Sequence, residues 1–144
     1  MLIDNLLFVW QFILCQRNSK PFVVPELKQW TGKDGNFTPG TNAKIVCTSV
    51  NPELQRIAQM FADDYQQMFG KTLSVTQGKA TPGDFILSLS ADKKLGEEGY
   101  EIKITDRITT SAPTLTGLYW STRTLLQIAE QSQEHSFPKG IIRD

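Results

Sequence analysis

The sequence predicts an α+β fold, a mixed, mainly antiparallel sheet with two long helices on one face, on three observations. Apolar residues alternate over several short segments, the period of strands with one covered face. Two longer segments carry them at helical spacing instead. Connections between neighbouring strands are mostly short and contain Gly or Asp, which favours antiparallel hairpins, while the first helix supplies a crossover.

Residues 1–20 stand apart from this pattern. Leu6-Leu7-Phe8-Val9-Trp10-Gln11-Phe12-Ile13-Leu14 is too short to span a bilayer and has the length of a signal-peptide core. Cys15 follows it directly and resembles the lipid-modified cysteine of bacterial lipoproteins. The residues before it include Asp4 and no Lys or Arg, and Phe12, Ile13 and Leu14 are bulky where export sites hold small residues. Two readings therefore stand. One is an export signal, giving a periplasmic, outer-membrane lipoprotein or secreted protein whose membrane contact is a lipid on Cys15; the other is a start site set wrongly or a packed N-terminal helix.

The folded domain is expected over 21–137. Pro21 to Pro25 is an extended lead-in, because proline pushes the residue before it away from helix. Trp30-Thr31 and Phe37-Thr38 flank Gly32-Lys33-Asp34-Gly35, which reads as a hairpin, and Ala43 to Thr48 as a third short strand. Asn51-Pro52 starts a helix that Gly70 ends; its stripe is Leu54, Ile57, Ala58, Phe61, Tyr65 and Met68. Thr72 to Thr76 and Asp84 to Ser90 alternate as strands, and Tyr100, Ile102 and Ile104 alternate with Glu101, Lys103 and Thr105. Asp106-Arg107 turns the chain into Ile108. From Pro113 to Ser132 a second amphipathic helix carries Leu115, Leu118, Tyr119, Leu125, Leu126 and Ala129, with proline in its first turn.

Composition limits the functions open to such a domain. A chain of 144 residues fits one core and buries roughly two-thirds of its unfolded surface. Fifteen basic and fifteen acidic residues cancel without a run of like charge, so the footprint of a nucleic-acid binder is missing. Cys47 lies beside Ile45 in a strand and reads as a small buried hydrophobe.

Catalytic chemistry is equally hard to assemble. His135 is the one histidine and sits in a polar loop, where solvent is its expected neighbour; a protein-held zinc needs more ligands of its kind. Asp63 and Asp64 point about 100° apart on a helix, which places them on a solvated face rather than on a shared substrate. Glu97 and Glu98 lie between glycines in a turn. There is no Gly-x-Ser-x-Gly elbow and no phosphate-binding glycine spacing, so no cofactor is expected. Trp10, Trp30 and Trp120 are sugar-stacking candidates, with burial or domain contact the reading preferred for Trp30 and Trp120.

A set of pieces stands in this order along the chain: Val24-Pro25, Gln29-Trp30, Gly35-x-Phe37, the helix from Pro52, Pro82-Gly83-Asp84 before Phe85-Ile86-Leu87, the turn Gly96-Glu97-Glu98-Gly99-Tyr100, and Gly117 with Thr124-Leu125-Leu126-Gln127. In order and spacing this resembles the non-catalytic N-terminal domain of family-20 glycoside hydrolases, the β-N-acetylhexosaminidases. Ser121 and Arg123 depart from the family pattern, which usually has glycine and glutamine there. The resemblance implies a zincin-like arrangement and a bacterial glycan-cleaving parent whose chemistry lies in a following (β/α)₈ barrel. There a glutamate serves as general acid and base, and an aspartate orients the substrate's own acetamido group. Residues 138–144 then resemble a run-in to that barrel, and no catalytic residue belongs to this chain. Gly117, Trp120 and Ser121 are expected to form an uncovered apolar side of the second helix, packing against the barrel in cis. The competing readings are a stand-alone carbohydrate-binding or protein-interaction module, and the N-terminal domain of a related glycosidase acting on glucuronides or protein-linked N-acetylglucosamine.

Overall fold

A computed structural model describes residues 17–144; the leader, with Trp10 and Cys15, lies outside the described residues. The elements run β1 (Gln29–Phe37), β2 (Lys44–Cys47), α1 (Pro52–Phe69), β3 (Ser74–Thr76), β4 (Phe85–Leu89), a short 3-10 turn (Lys93–Leu95), β5 (Glu101–Ile104), β6 (Ile108–Ala112), α2 (Leu115–Glu130) and β7 (Phe137–Arg143). All seven strands join one mixed sheet in the order β1-β7-β5-β6-β4-β2-β3. The two helices pack on each other and both reach β4, which places them on one face.

The sheet divides into halves. β1, β7, β5 and β6 are antiparallel, whereas β6, β4, β2 and β3 run parallel. The antiparallel share is therefore smaller than the short connections suggested. α1 joins β2 to its parallel neighbour β3, as a crossover must. β4 then pairs on the other side of β2, so the link between β3 and β4 is not a hairpin.

Two further expectations are corrected by β7. The tetrad Gly32–Gly35 does not reverse the chain; β1 runs through it, with its register slipping between Gly32, opposite Gly140, and Asn36, opposite Pro138. Four steps along β1 thus match two along β7. The surplus forms a bulge with Gly35 at φ 86°. Phe137–Arg143, mostly assigned from sequence to a run-in beyond a domain ending at 137, is an inner strand between β1 and β5.

Local signals act as read for α1. The Asn51 carboxamide oxygen accepts from the N–H groups of Glu53 at 2.9 Å and Leu54 at 3.4 Å, and Gly70 at φ 70° returns its N–H to Gln66. α2 starts later than expected. Thr114 caps it by accepting from Gly117 N–H at 3.0 Å, leaving Pro113 just outside the helix.

The core lies between the helices and the sheet. Phe61 of α1 meets Phe85 of β4 edge-on at 5.3 Å between centroids, and Phe85 meets Phe37 of β1 and Phe137 of β7 at 5.8 and 5.9 Å. Four elements thus share one aromatic cluster, with packing of the kind edge-to-face rings prefer. Cys47 is buried, and burial pushes its thiol pKa up. His135 is not simply solvated: its ring stacks on Phe69 at 4.3 Å and its Nδ1 lies 3.2 Å from the Ala129 carbonyl oxygen. Trp30 is half-buried, crosses over Gly140 and donates its indole N–H to the Asn18 carbonyl at 3.0 Å.

Candidate functional site

The residues singled out in the second helix and the turn before β5 converge in space. At Gly117 a Cβ would lie 2.3 Å from the Gly99 carbonyl oxygen, so only glycine lets the turn approach α2 this closely. Thr114 fastens the same turn by donating its hydroxyl to the Glu97 carbonyl. About two turns further along α2 from Gly117, Thr124 meets the buried Tyr100 hydroxyl at 2.6 Å. Burial pushes the Tyr100 pKa up to about 12, so the phenol remains protonated at neutral pH and serves as a hydrogen-bonding group rather than a base.

The lead-in segment is held by side chains in place of a strand ladder. The Gln127 carboxamide accepts from Val24 N–H at 2.9 Å and donates back to Val24 C=O at 3.0 Å. Gln131 donates to the Phe22 carbonyl. Asp144 completes the arrangement: its backbone exchanges two 2.9 Å hydrogen bonds with Tyr100, and its carboxylate accepts from Lys28 N–H at 2.7 Å.

Between the lead-in, the turn and α2 lies an open groove of 660 Å³, lined by Val24, Pro25, Leu95, Trp120 and Asp144 among others. Trp120 is 45% exposed, and the nearby Val24 is exposed as well. Charge frames the groove through Lys28, Glu97, Glu98 and Arg123. Arg123 lies 4.9 Å from the centroid of Tyr119 on its own helix, and its ion pair with Asp64 of α1 at 2.7 Å ties the two helices together.

The trio expected on the uncovered side of the helix is split. Gly117 is buried against the turn, and Ser121 is fully buried with its hydroxyl 2.5 Å from the Leu118 carbonyl oxygen. Trp120 alone faces out. Adjacent helical residues point about 100° apart, so Trp120 and Ser121 cannot share one exposed side in a narrow stripe. Asp64, still partly exposed, pairs with Arg123, whereas Asp63 accepts from Gln59 at 2.9 Å. Glu97 and Glu98 remain exposed in their turn. Among the described residues no group of His, Cys, Asp and Glu side chains is placed to hold a metal ion. The groove offers an apolar wall with a polar rim.

The contacts of Tyr100, Thr124 and Gln127 were not foreseen, although all three residues belong to the set on which the resemblance rests. Residues 20–144 match the family described as glycosyl hydrolase family 20, domain 2. The chain belongs to this family. Lacto-N-biosidase of Bifidobacterium bifidum is 29% identical over 127 residues, 86% of this chain and 11% of that protein. An N-acetyl-β-hexosaminidase of Streptomyces plicatus superimposes with a TM-score of 0.75 at 20% identity, covering 90% of this chain and 27% of that one. An exo-β-N-acetylglucosaminidase of Vibrio harveyi, family 20, gives 0.71 at 19% identity over 88% of this chain and 19% of its own. At such identities the superpositions establish the fold. The family-20 domain spans only about a tenth to a quarter of these relatives, consistent with the catalytic barrel lying outside it.

Proposed function

We propose that this family-20 domain is the non-catalytic N-terminal part of a β-N-acetylhexosaminidase, docked in cis through the Trp120 groove onto a (β/α)₈ barrel that removes terminal N-acetylglucosamine or N-acetylgalactosamine from glycans. The observation that carries the reading is Trp120 itself, a large exposed aromatic walling an open groove that also holds Asp144. Exposed aromatic anchors at such places mark interaction surfaces. Substrate-assisted retaining hydrolysis would then belong wholly to the barrel, because glycosidic cleavage needs a positioned acid and a stabilised anomeric cation. Among the described residues, Asp92, Asp84, Asp64 and Glu101 are engaged in a cap and in ion pairs.

The test uses both the chain and its longer parent. The 144 residues alone are expected to cleave no chromogenic N-acetylhexosaminide, and hydrolysis by them would overturn the reading. In the parent, Trp120→Ala should weaken coupling between domain and barrel by about 2 kcal/mol, the size of an interface anchor, and leave the melting of the isolated chain unchanged. Equal effects on both would make Trp120 an ordinary stability residue.

A second reading, lacto-N-biosidase activity of the parent, is favoured by the 29% identity to that enzyme against 19–20% for the hexosaminidase structures above. Assay of the parent for both activities separates the two. Export with lipidation at Cys15 belongs to the same proposal, and mass spectrometry of the protein from its native host decides it; an unmodified N-terminus at Met1 excludes processing.

A further inference from the structure

At the opposite end of the sheet order, beside the edge strand β3, a second pocket of 590 Å³ lies between the loop leading into β2 and the loop leading out of α1. Its volume is in the range of small-ligand sites. Thr41, Asn42, Thr72 and Ser74 line it with hydroxyl and amide groups, Lys71 adds an ammonium, and no carboxylate takes part. Lys71 forms no ion pair among the described residues. The wall also includes Tyr65, which is 1% exposed and whose buried hydroxyl has no hydrogen-bond partner among the described residues. An orphaned buried hydroxyl costs stability, which a hydrogen bond from a ligand or a water would recover. Burial pushes the Tyr65 pKa up to about 12, so it offers an O–H at neutral pH.

We propose that this pocket binds a small polyhydroxylated ligand bearing a negative charge, an acidic sugar in chemical class, with Lys71 meeting the anionic group, Thr41, Asn42, Thr72 and Ser74 the hydroxyls, and Tyr65 supplying a buried hydrogen bond. The anion requirement follows from an ammonium without a counter-charge among neutral polar groups. Two sources share this chemistry, a sugar carboxylate and a sugar phosphate. The inference stands apart from barrel docking, which uses the other end of the domain.

Titration of the full 144-residue chain with glucuronate, glucose 6-phosphate, N-acetylglucosamine and inorganic phosphate, followed by backbone amide NMR, tests it. Glucuronate or glucose 6-phosphate should bind in the range of about 1 mM and shift the amides of 41–43 and 72–74; the tighter of the two names the source. Lys71→Met should weaken that binding at least ten-fold. Tyr65→Phe should weaken it several-fold while leaving the unfolding midpoint unchanged or raised, since the orphaned group is gone. Absence of binding, equal binding of N-acetylglucosamine, equal binding of inorganic phosphate, or unchanged affinity in Lys71→Met would each overturn the proposal.

Discussion

The parallel and antiparallel halves of the sheet are held by different means. On the parallel side, α1 is closed by its own caps and buries Leu54, Ala58, Phe61, Ala62 and Tyr65 against β2, β3 and β4. On the antiparallel side, both ends of α2 and the end of β7 are stitched by side chains to loop backbone: Thr114 to Glu97, Gln127 to Val24, Asp144 to Lys28. Apolar packing leaves little open space, whereas loops pinned at single points leave a groove between them. The contrast explains why the Trp120 groove forms where it does. The pocket at the parallel end has a different origin, lying where two loops meet at a sheet edge.

The largest expected effect tests the apolar half. Phe61→Ala should lower unfolding free energy by about 3–5 kcal/mol in urea titration, the range for a deleted core aromatic. A loss below 1 kcal/mol would mean that the aromatic cluster does not anchor α1. Gly117→Ala comes next, at about 2–3 kcal/mol, because its Cβ would meet backbone oxygen rather than a flexible side-chain end. If the variant is as stable as the parent sequence, the close approach of turn and helix is not needed.

Asp84 lies in the parallel half and gives a pH signature. Burial of its carboxyl pushes the pKa up, but the Lys44 ammonium at 2.7 Å, the N–H groups of Thr81 and Lys44 and the Thr81 hydroxyl outweigh it and hold the value at about 2 instead of 3.8. The folded state thus favours the charged form. Its stabilisation, about 2 kcal/mol, is present above pH 4 and is lost as the pH falls through about 2. Urea unfolding between pH 6 and 2 should show this acid slope in the parent sequence and a shallower one in Asp84→Asn; identical slopes would remove Asp84 from the account.

The smallest effects compare two polar fasteners directly. Asn51→Ala should cost about 1 kcal/mol through the lost cap of α1, and Gln127→Ala about the same through two lost hydrogen bonds to Val24. Their local consequences should differ. Hydrogen exchange is expected to speed up at Val24 N–H in Gln127→Ala, and at Glu53 and Leu54 in Asn51→Ala. Unchanged exchange at Val24 would show that the lead-in is held by something other than Gln127.

Much of the fold was legible because its signals act within one turn or one hairpin. The Asn51 cap, the Gly70 stop, the stripe of α1 and the alternation in β5 needed no distant partner to be recognised. Of the candidate site, Trp120 was expected with Gly117 and Ser121 on an uncovered side of the second helix, and it is the one of the three that is exposed. Less legible were the inward placement of Gly117 and Ser121, which depends on the turn at Gly99 and the domain core, and the pairing of the still partly exposed Asp64 with Arg123 of the other helix.

By itself the sequence determined the two helices, most of the strands, the absence of a charged footprint, and the ordered residue set that marks a family-20 domain. Only the tertiary structure decided that β1 is one bulged strand, that Phe137–Arg143 runs inside the sheet, that half of the pairings are parallel, and that Trp120, Val24 and Asp144 share a groove. The physical reason is range. Periodicity and caps are written in neighbouring residues, whereas the pairing of Gln29 with Arg143 and the hold of Gln127 on Val24, 103 residues apart, exist only once the chain has closed on itself.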